Sequence, residues 1–373
     1  SFGVYPEAGD GDGLKVMLEV RVKVLSGELS EAMELVHQML MTSKLSEERR
    51  LYEVIAQLKS RLEAGLSGSG HSAASLRAMS YFSRAAYYQE ATNGICFYRL
   101  VADLEEHFAG KKEELGKKLH SLAERIFTAE RLLVSVVCEE ADYAAVEREI
   151  AALKGRLYHG GVRAAERKLP EIELEQKNEG FMDASQVQYV ARAGNFVRHG
   201  FSYTGALRIL KVIMGYDYLW LNVRVKGGAY GCMNSYMRNG DTYFVSYRDP
   251  YLKKTDEVYD NIPEYLEHFT ADEREMTKYI IGTISDLDTP LNPSAKGVRS
   301  MSAYLQGITL EDIQRERDEI LSAQDSDIRA LKGLVESVLA EKNLCVIGNE
   351  ETLRENSKMF GKLENLYQGM EQA

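Results

Sequence analysis

Met233-Asn234-Ser235-Tyr236-Met237-Arg238, then Asn239-Gly240-Asp241, then Thr242-Tyr243-Phe244-Val245-Ser246-Tyr247 is the stretch on which the fold turns. Two runs that favour extended backbone flank an Asn-Gly step, whose residues readily take the backbone angles of a tight hairpin. The spacing predicts an antiparallel pair over Met233–Arg238 and Thr242–Tyr247, closed by Asp249-Pro250. Upstream, Tyr203 to Trp220 carries Leu207, Leu210, Val212, Ile213 and Leu219 at helical spacing. Between that helix and the hairpin lies Arg224-Val225-Lys226-Gly227-Gly228-Ala229-Tyr230-Gly231.

Further out, Ser185–Ala193 and Leu344–Gly348 read as strands. Near the start, Leu14 to Leu25 alternates apolar and polar residues, the period of a strand with one buried face. Leu132-Leu133-Val134-Ser135-Val136-Val137 reads as a short buried strand within Arg131–Cys138. Helical spacing covers 29–41, 46–66, 72–88, 94–108, 111–127 and 143–153, and later 253–268, 271–287, 298–306 and 325–341. Thr309 opens one more helix, with Asp312 three residues on. Strands separated by many helices imply an α+β fold: two related domains, each a mostly antiparallel sheet with several helices on one face. Gly155–Gly180 holds Gly160-Gly161, Pro170 and a polar run, and reads as a joint. The expected division is a first domain over 1–160, a linker over 161–180 and a second domain over 181–373.

Composition narrows the function. The 373 residues are 45% hydrophobic and 28% charged, with a net charge of −11. That balance is ordinary for a globular protein and argues against nucleic acid as a partner. No apolar run approaches the ~18 residues of a membrane helix, so no membrane partner is expected. No signal peptide is visible, and a cytoplasmic location is the expectation. The start at Ser1 without methionine is read as a processed or excised end. Cys96, Cys138, Cys232 and Cys345 are scattered and read as reduced core residues.

Motifs for chemistry are sparse. His37, His71, His107, His120, His159, His199 and His268 form neither HExxH nor HxxEH, so no metal site from this chain alone is expected. GxxxxGK[ST] and GxSxG are absent. Glu105-Glu106 and Glu139-Glu140 read as solvated faces, and Met79–Tyr88 as core. The segment Arg224–Gly231 stands out. Three glycines in five positions are read first as a tight turn. The second reading holds Arg224 and Tyr230 on a backbone that a substrate can approach closely. Arginine offers a fixed fork of donors, and a tyrosine hydroxyl can donate to a developing oxyanion.

Leu207-Arg208-Ile209-Leu210, Tyr218-Leu219-Trp220 and Arg224–Gly231 together resemble the C-terminal half of the insulinase (pitrilysin) family, in its presequence-protease and falcilysin subgroup. Ser26–Ala32, Ser246–Pro250 and Asp286–Lys296 support this, and the resemblance spans most of the chain. It implies four α+β domains in two halves that close around a peptide chamber. It places zinc, a general-base glutamate and the HxxEH motif in the N-terminal half, absent here, with no cofactor in this chain. There zinc would polarise the scissile carbonyl and activate water. The family's arginine and tyrosine match Arg224 and Tyr230, as catalytic residues that bind the scissile region and stabilise the oxyanion. Gly227, Gly228 and Ala229 would contact substrate.

The expected role is therefore the non-zinc half of a zinc endopeptidase acting on unstructured peptides, inactive alone, with the N-terminal half as partner. Two alternatives stand beside it. One is a non-catalytic partner subunit of a two-chain peptidase or processing complex. The other is a plain helical interaction module, which would leave Arg224 and Tyr230 buried or scattered.

Overall fold

The Asn239-Gly240-Asp241 turn joins two strands as the spacing predicts, and they belong to a larger sheet. In the computed structural model, which describes residues 1–160 and 169–367, an N-terminal antiparallel pair comes first, β1 (Phe2–Pro6) on β2 (Leu14–Leu18). Then follow β3 (Glu179–Asp183), β4 (Gln188–Asn195), β5 (Gly231–Tyr236), β6 (Asp241–Tyr247), β7 (Asn343–Asn349) and β8 (Lys362–Asn365). These six form one sheet in the order β5-β6-β4-β7-β3-β8. Its β5-β6-β4-β7 part is antiparallel, while β3 runs parallel to β7 and β8. The α+β class holds.

Side chains of successive strand residues point to opposite faces. Val190, Phe244, Leu344 and Val346 join one core, in which Leu207, Ile209, Leu210 and Ile213 of the helix Ala206–Ile213 are fully buried. Tyr189, Ala191, Val245, Cys345 and Ile347 join a second core with Ala74, Ala78, Tyr81, Phe82, Ile95 and Tyr98. All eight residues of β4 are buried, as a central strand covered on both faces requires. Each large apolar side chain buried this way contributes about 1.5–3 kcal/mol. Helices thus cover both faces of the sheet, not one. Those on the second face, Gly70–Met79 and Ile95–Glu106, come from far upstream, a pairing that local periodicity does not encode.

Two expected strands fail to form. The alternation from Leu14 is a strand only as far as Leu18, and Arg131–Cys138 contains no strand. Val20, Val22 and Val24, like Leu132, Leu133, Val134, Val136 and Val137, are exposed. A period-two pattern specifies a face but not a partner, and among the described residues no strand lies beside either segment. The reverse error concerns β3, which begins inside the expected linker. Residues 161–168 of that linker lie outside the described residues.

β3 is anchored by charge as well as by its ladder. Arg77, on the helix Gly70–Met79, donates from Nε and Nη2 to Glu179 Oε2 and Oε1 at 2.6 and 2.9 Å. The Tyr81 hydroxyl donates to Glu179 at 3.0 Å, and Glu90 lies 3.4 Å from Arg77. This buried group ties the upstream helices to the sheet. Among the described residues no helix is long and apolar enough to cross a membrane.

Candidate functional site

The helix that begins at Ala206 changes pitch before it ends. After Ile213 it continues as π-helical turns over Met214–Tyr218 and Trp220–Val225, a rare geometry that recurs at functional sites. These turns put Trp220 and Arg224 on one side. The Arg224 guanidinium lies over the Trp220 ring, 3.9 Å from its centroid, and 5.8 Å from the Tyr230 ring. Stacking on aromatic faces holds the planar fork while its N–H edges remain available.

The glycines stop the helix. Lys226 N–H donates to Leu221 O at 2.9 Å, Gly228 N–H to Arg224 O at 2.8 Å and Ala229 N–H to Val223 O at 3.1 Å. The last two bonds make a Schellman stop, with Gly228 in the left-handed position at φ +81°. A Cβ on Gly227 would lie 2.3 Å from Val223 O. Gly228→Ala is expected to cost about 1–2 kcal/mol, the penalty of left-handed backbone for an L side chain. Gly227→Ala should cost more, because a backbone carbonyl must move. It should also alter the fluorescence of Trp220, the only tryptophan in the sequence. Urea midpoints matching the wild type in both variants would refute this account of the turn.

Past the stop, Ala229 is buried and Tyr230 emerges, 67% exposed. Tyr230 N–H donates to Tyr247 O at 3.0 Å and Arg248 O at 3.3 Å, and Gly231 then pairs with Tyr247 as β5 begins. The Tyr230 ring packs edge-on against Tyr247 at 5.7 Å. Tyr247 in turn meets His71 at 4.8 Å and Tyr189 at 5.7 Å. Burial pushes the His71 pKa below its ordinary 6.5, so the imidazole there is neutral at pH 7. Burial also pushes the Cys232 thiol up to about 11, with Arg224 acting the other way. At neutral pH that cysteine is no thiolate nucleophile.

Arg224 and Tyr230, six apart in sequence, therefore share one surface. Of the other three candidates, Gly228 is exposed while Gly227 and Ala229 are buried in the turn. Sequence reasoning gave no role to Trp220, Tyr247, His71 or Arg248. The i, i+4 spacing of Trp220 and Arg224 was a usable signal; His71, from a distant helix, had none. Surface hollows lie elsewhere, one at Asp183, Asn349 and Arg354 and another at Leu287, Arg299 and Tyr304. Among the described residues no group of three or more His, Cys, Asp or Glu side chains is placed to hold a metal ion. A stacked arginine fork beside an exposed phenol can grip carbonyl or carboxylate oxygens and donate to developing negative charge.

Residues 178–350 match the family model described as PreP C-terminal domain, and residues 1–104 match a model for the segment associated with subgroup C of the M16 peptidases. Protein HypA of Clostridium perfringens (strain 13 / Type A) is 38% identical over 349 residues, 94% of this chain and 35% of that protein. Presequence protease 1, chloroplastic/mitochondrial, of Arabidopsis thaliana is 28% identical over 346 residues, 89% of this chain and 32% of that protein. The chain thus spans about a third of the length of the curated relatives it matches. The crystal structure of pitrilysin superposes with a TM-score of 0.57 at 10% identity, over 91% of this chain and 36% of that one, a likeness of fold. With both family models and a 38% identical relative aligned along it, the chain belongs to the M16 peptidases and corresponds to the C-terminal half of a presequence-protease-type member.

Proposed function

We propose that this chain closes the peptide chamber of a zinc-dependent endopeptidase that degrades unstructured peptides, its N-terminal half carrying the zinc. The observation that supports this reading most is the convergence of Arg224 and Tyr230, one stacked on Trp220 and the other held by the edge of β6. Arg224 binds carbonyl oxygens of the peptide near the scissile bond. The Tyr230 hydroxyl donates to the oxyanion as it forms, in a site closed to water by the two halves. Gly228 keeps the backbone low enough for a peptide to pass, while Gly227 and Ala229 fix the turn beneath it. The described residues of this chain do not fit a zinc ion, so no chemical step is assigned to a metal here. The division near 161–180 and a cytoplasmic location belong to the same proposal.

Metal analysis and peptide assays on this chain, on the N-terminal half and on the two mixed test it. The chain alone is expected to carry no stoichiometric zinc and cleave nothing, with cleavage appearing when the zinc half is supplied. One zinc per chain, or cleavage by this chain alone, would overturn the assignment. Zinc-replete halves that associate without cleaving any peptide would favour the non-catalytic partner subunit.

A further inference from the structure

Arg248 is the residue that nothing above uses. It follows Tyr247 at the end of β6, is exposed, and holds φ +49°. Left-handed backbone is costly for a residue that is neither glycine nor asparagine, and it persists only where surroundings impose it. Here the surroundings are specific. Arg248 O accepts from Tyr230 N–H at 3.3 Å, beside the stronger bond to Tyr247 O. Asp249 is turned inward, accepting from Thr255 Oγ1 at 2.6 Å and Tyr251 N–H at 2.9 Å. The kink thus carries the Arg248 side chain back over the sheet, where its guanidinium lies 5.5 Å from the Tyr247 ring centroid. The same guanidinium lies by the Tyr189 hydroxyl, opposing the upward push that burial gives that phenol.

Along this surface the side chains run Trp220, Arg224, Tyr230, Tyr247, Arg248, cations alternating with stacked rings. In a chain of net charge −11, neither arginine has a carboxylate within ion-pair distance among the described residues, whereas Arg77, Arg192 and Arg208 all do. The neighbouring acid that could have paired with Arg248, Asp249, is occupied elsewhere. An arginine stacked on tyrosine, with its donors unclaimed, is suited to bidentate recognition of a carboxylate. We infer that Arg248 is a specificity-determining residue that binds a carboxylate of the peptide substrate, one step along the chain from the bond that Arg224 and Tyr230 address. The carboxylate is supplied either by the peptide's C-terminus or by an Asp or Glu side chain. This inference rests on the peptidase reading above.

Four versions of one peptide separate the sources: free acid or amide at the C-terminus, each with glutamate or glutamine inside. Cleavage by the full-length enzyme is compared for the wild type, Arg248→Gln and Arg248→Gly. Glycine also relieves the backbone, so it separates loss of the guanidinium from loss of the kink. Both variants should raise KM about tenfold for the version whose carboxylate is read, the loss expected for one charge-assisted contact. kcat, and KM for the version lacking that carboxylate, should stay unchanged. A rise shared by all four peptides, or no change with any, overturns the inference. Binding of the same peptides to the zinc-stripped full-length protein gives a readout without turnover. If the wild type cleaves nothing yet binds carboxylate peptides in an Arg248-dependent way, the peptidase reading fails and the carboxylate site stands. Binding indifferent to Arg248 overturns the site whatever the activity.

Discussion

Tyr230→Phe in the full-length enzyme is expected to lower peptide turnover by ~10²–10³-fold, the usual loss for one oxyanion donor. The variant removes a single oxygen. The ring remains to pack on Tyr247 at 5.7 Å, and the backbone bond from Tyr230 N–H to Tyr247 O is untouched. A donor used mainly in the transition state lowers kcat and kcat/KM together, and that is the expected pattern. Arg224→Ala should differ, because the fork grips the ground-state peptide as well and also covers Trp220 at 3.9 Å; KM should rise while kcat falls. Arg224→Lys keeps the charge but not the planar fork, and should recover only part of the loss. Zinc content should match the wild type throughout. If kcat/KM is unchanged in both Tyr230→Phe and Arg224→Ala, the proposed role of this surface is wrong.

How far the sequence carried the reading follows from the range of each interaction. The hairpin and the Gly227-Gly228 stop are local. Asn239-Gly240-Asp241 sets a turn from adjacent residues, and a Schellman stop joins carbonyls and amides at most six residues apart. Arg224 and Tyr230 were legible for the same reason, since one helix end holds both. The second face of the sheet was not legible. Tyr189 and Cys345 are covered by helices more than a hundred residues upstream, and a Val-Val alternation looks the same whether or not a partner strand exists. So Val20–Val24 and Leu132–Val137 read as strands and lie exposed, while β3, with only five residues and one large apolar pair (Phe181 and Met182), was hidden in a polar stretch. His71 belongs with these long-range features: its neighbour Tyr247 is distant in sequence and adjacent in space.

That long-range contact makes the Arg77–Glu179 pair the place where stability and the site meet. Glu179→Ala would strand a guanidinium that is 8% exposed, with Glu90 at 3.4 Å as its remaining carboxylate. Breaking a buried pair from one side typically costs about 3–5 kcal/mol, a large share of the roughly 5–15 kcal/mol by which domains are stable. The helix Gly70–Met79 carries Arg77 near one end and His71 near the other. Loosening the first should release the second from Tyr247, and with it the packing behind Tyr230. Glu179→Ala is therefore expected to lower the urea midpoint steeply and, below the unfolding range, to reduce kcat while zinc is retained. The double variant Arg77→Met, Glu179→Leu replaces both charges by apolar groups of similar bulk and should regain most of the lost stability. The resulting double-mutant cycle isolates the coupling between the two residues. A Glu179→Ala midpoint matching the wild type would show that the pair does not fasten these helices to the sheet. A normal midpoint with lost activity would instead place Glu179 itself in the chemistry, which its burial beside Phe181 and Tyr81 argues against.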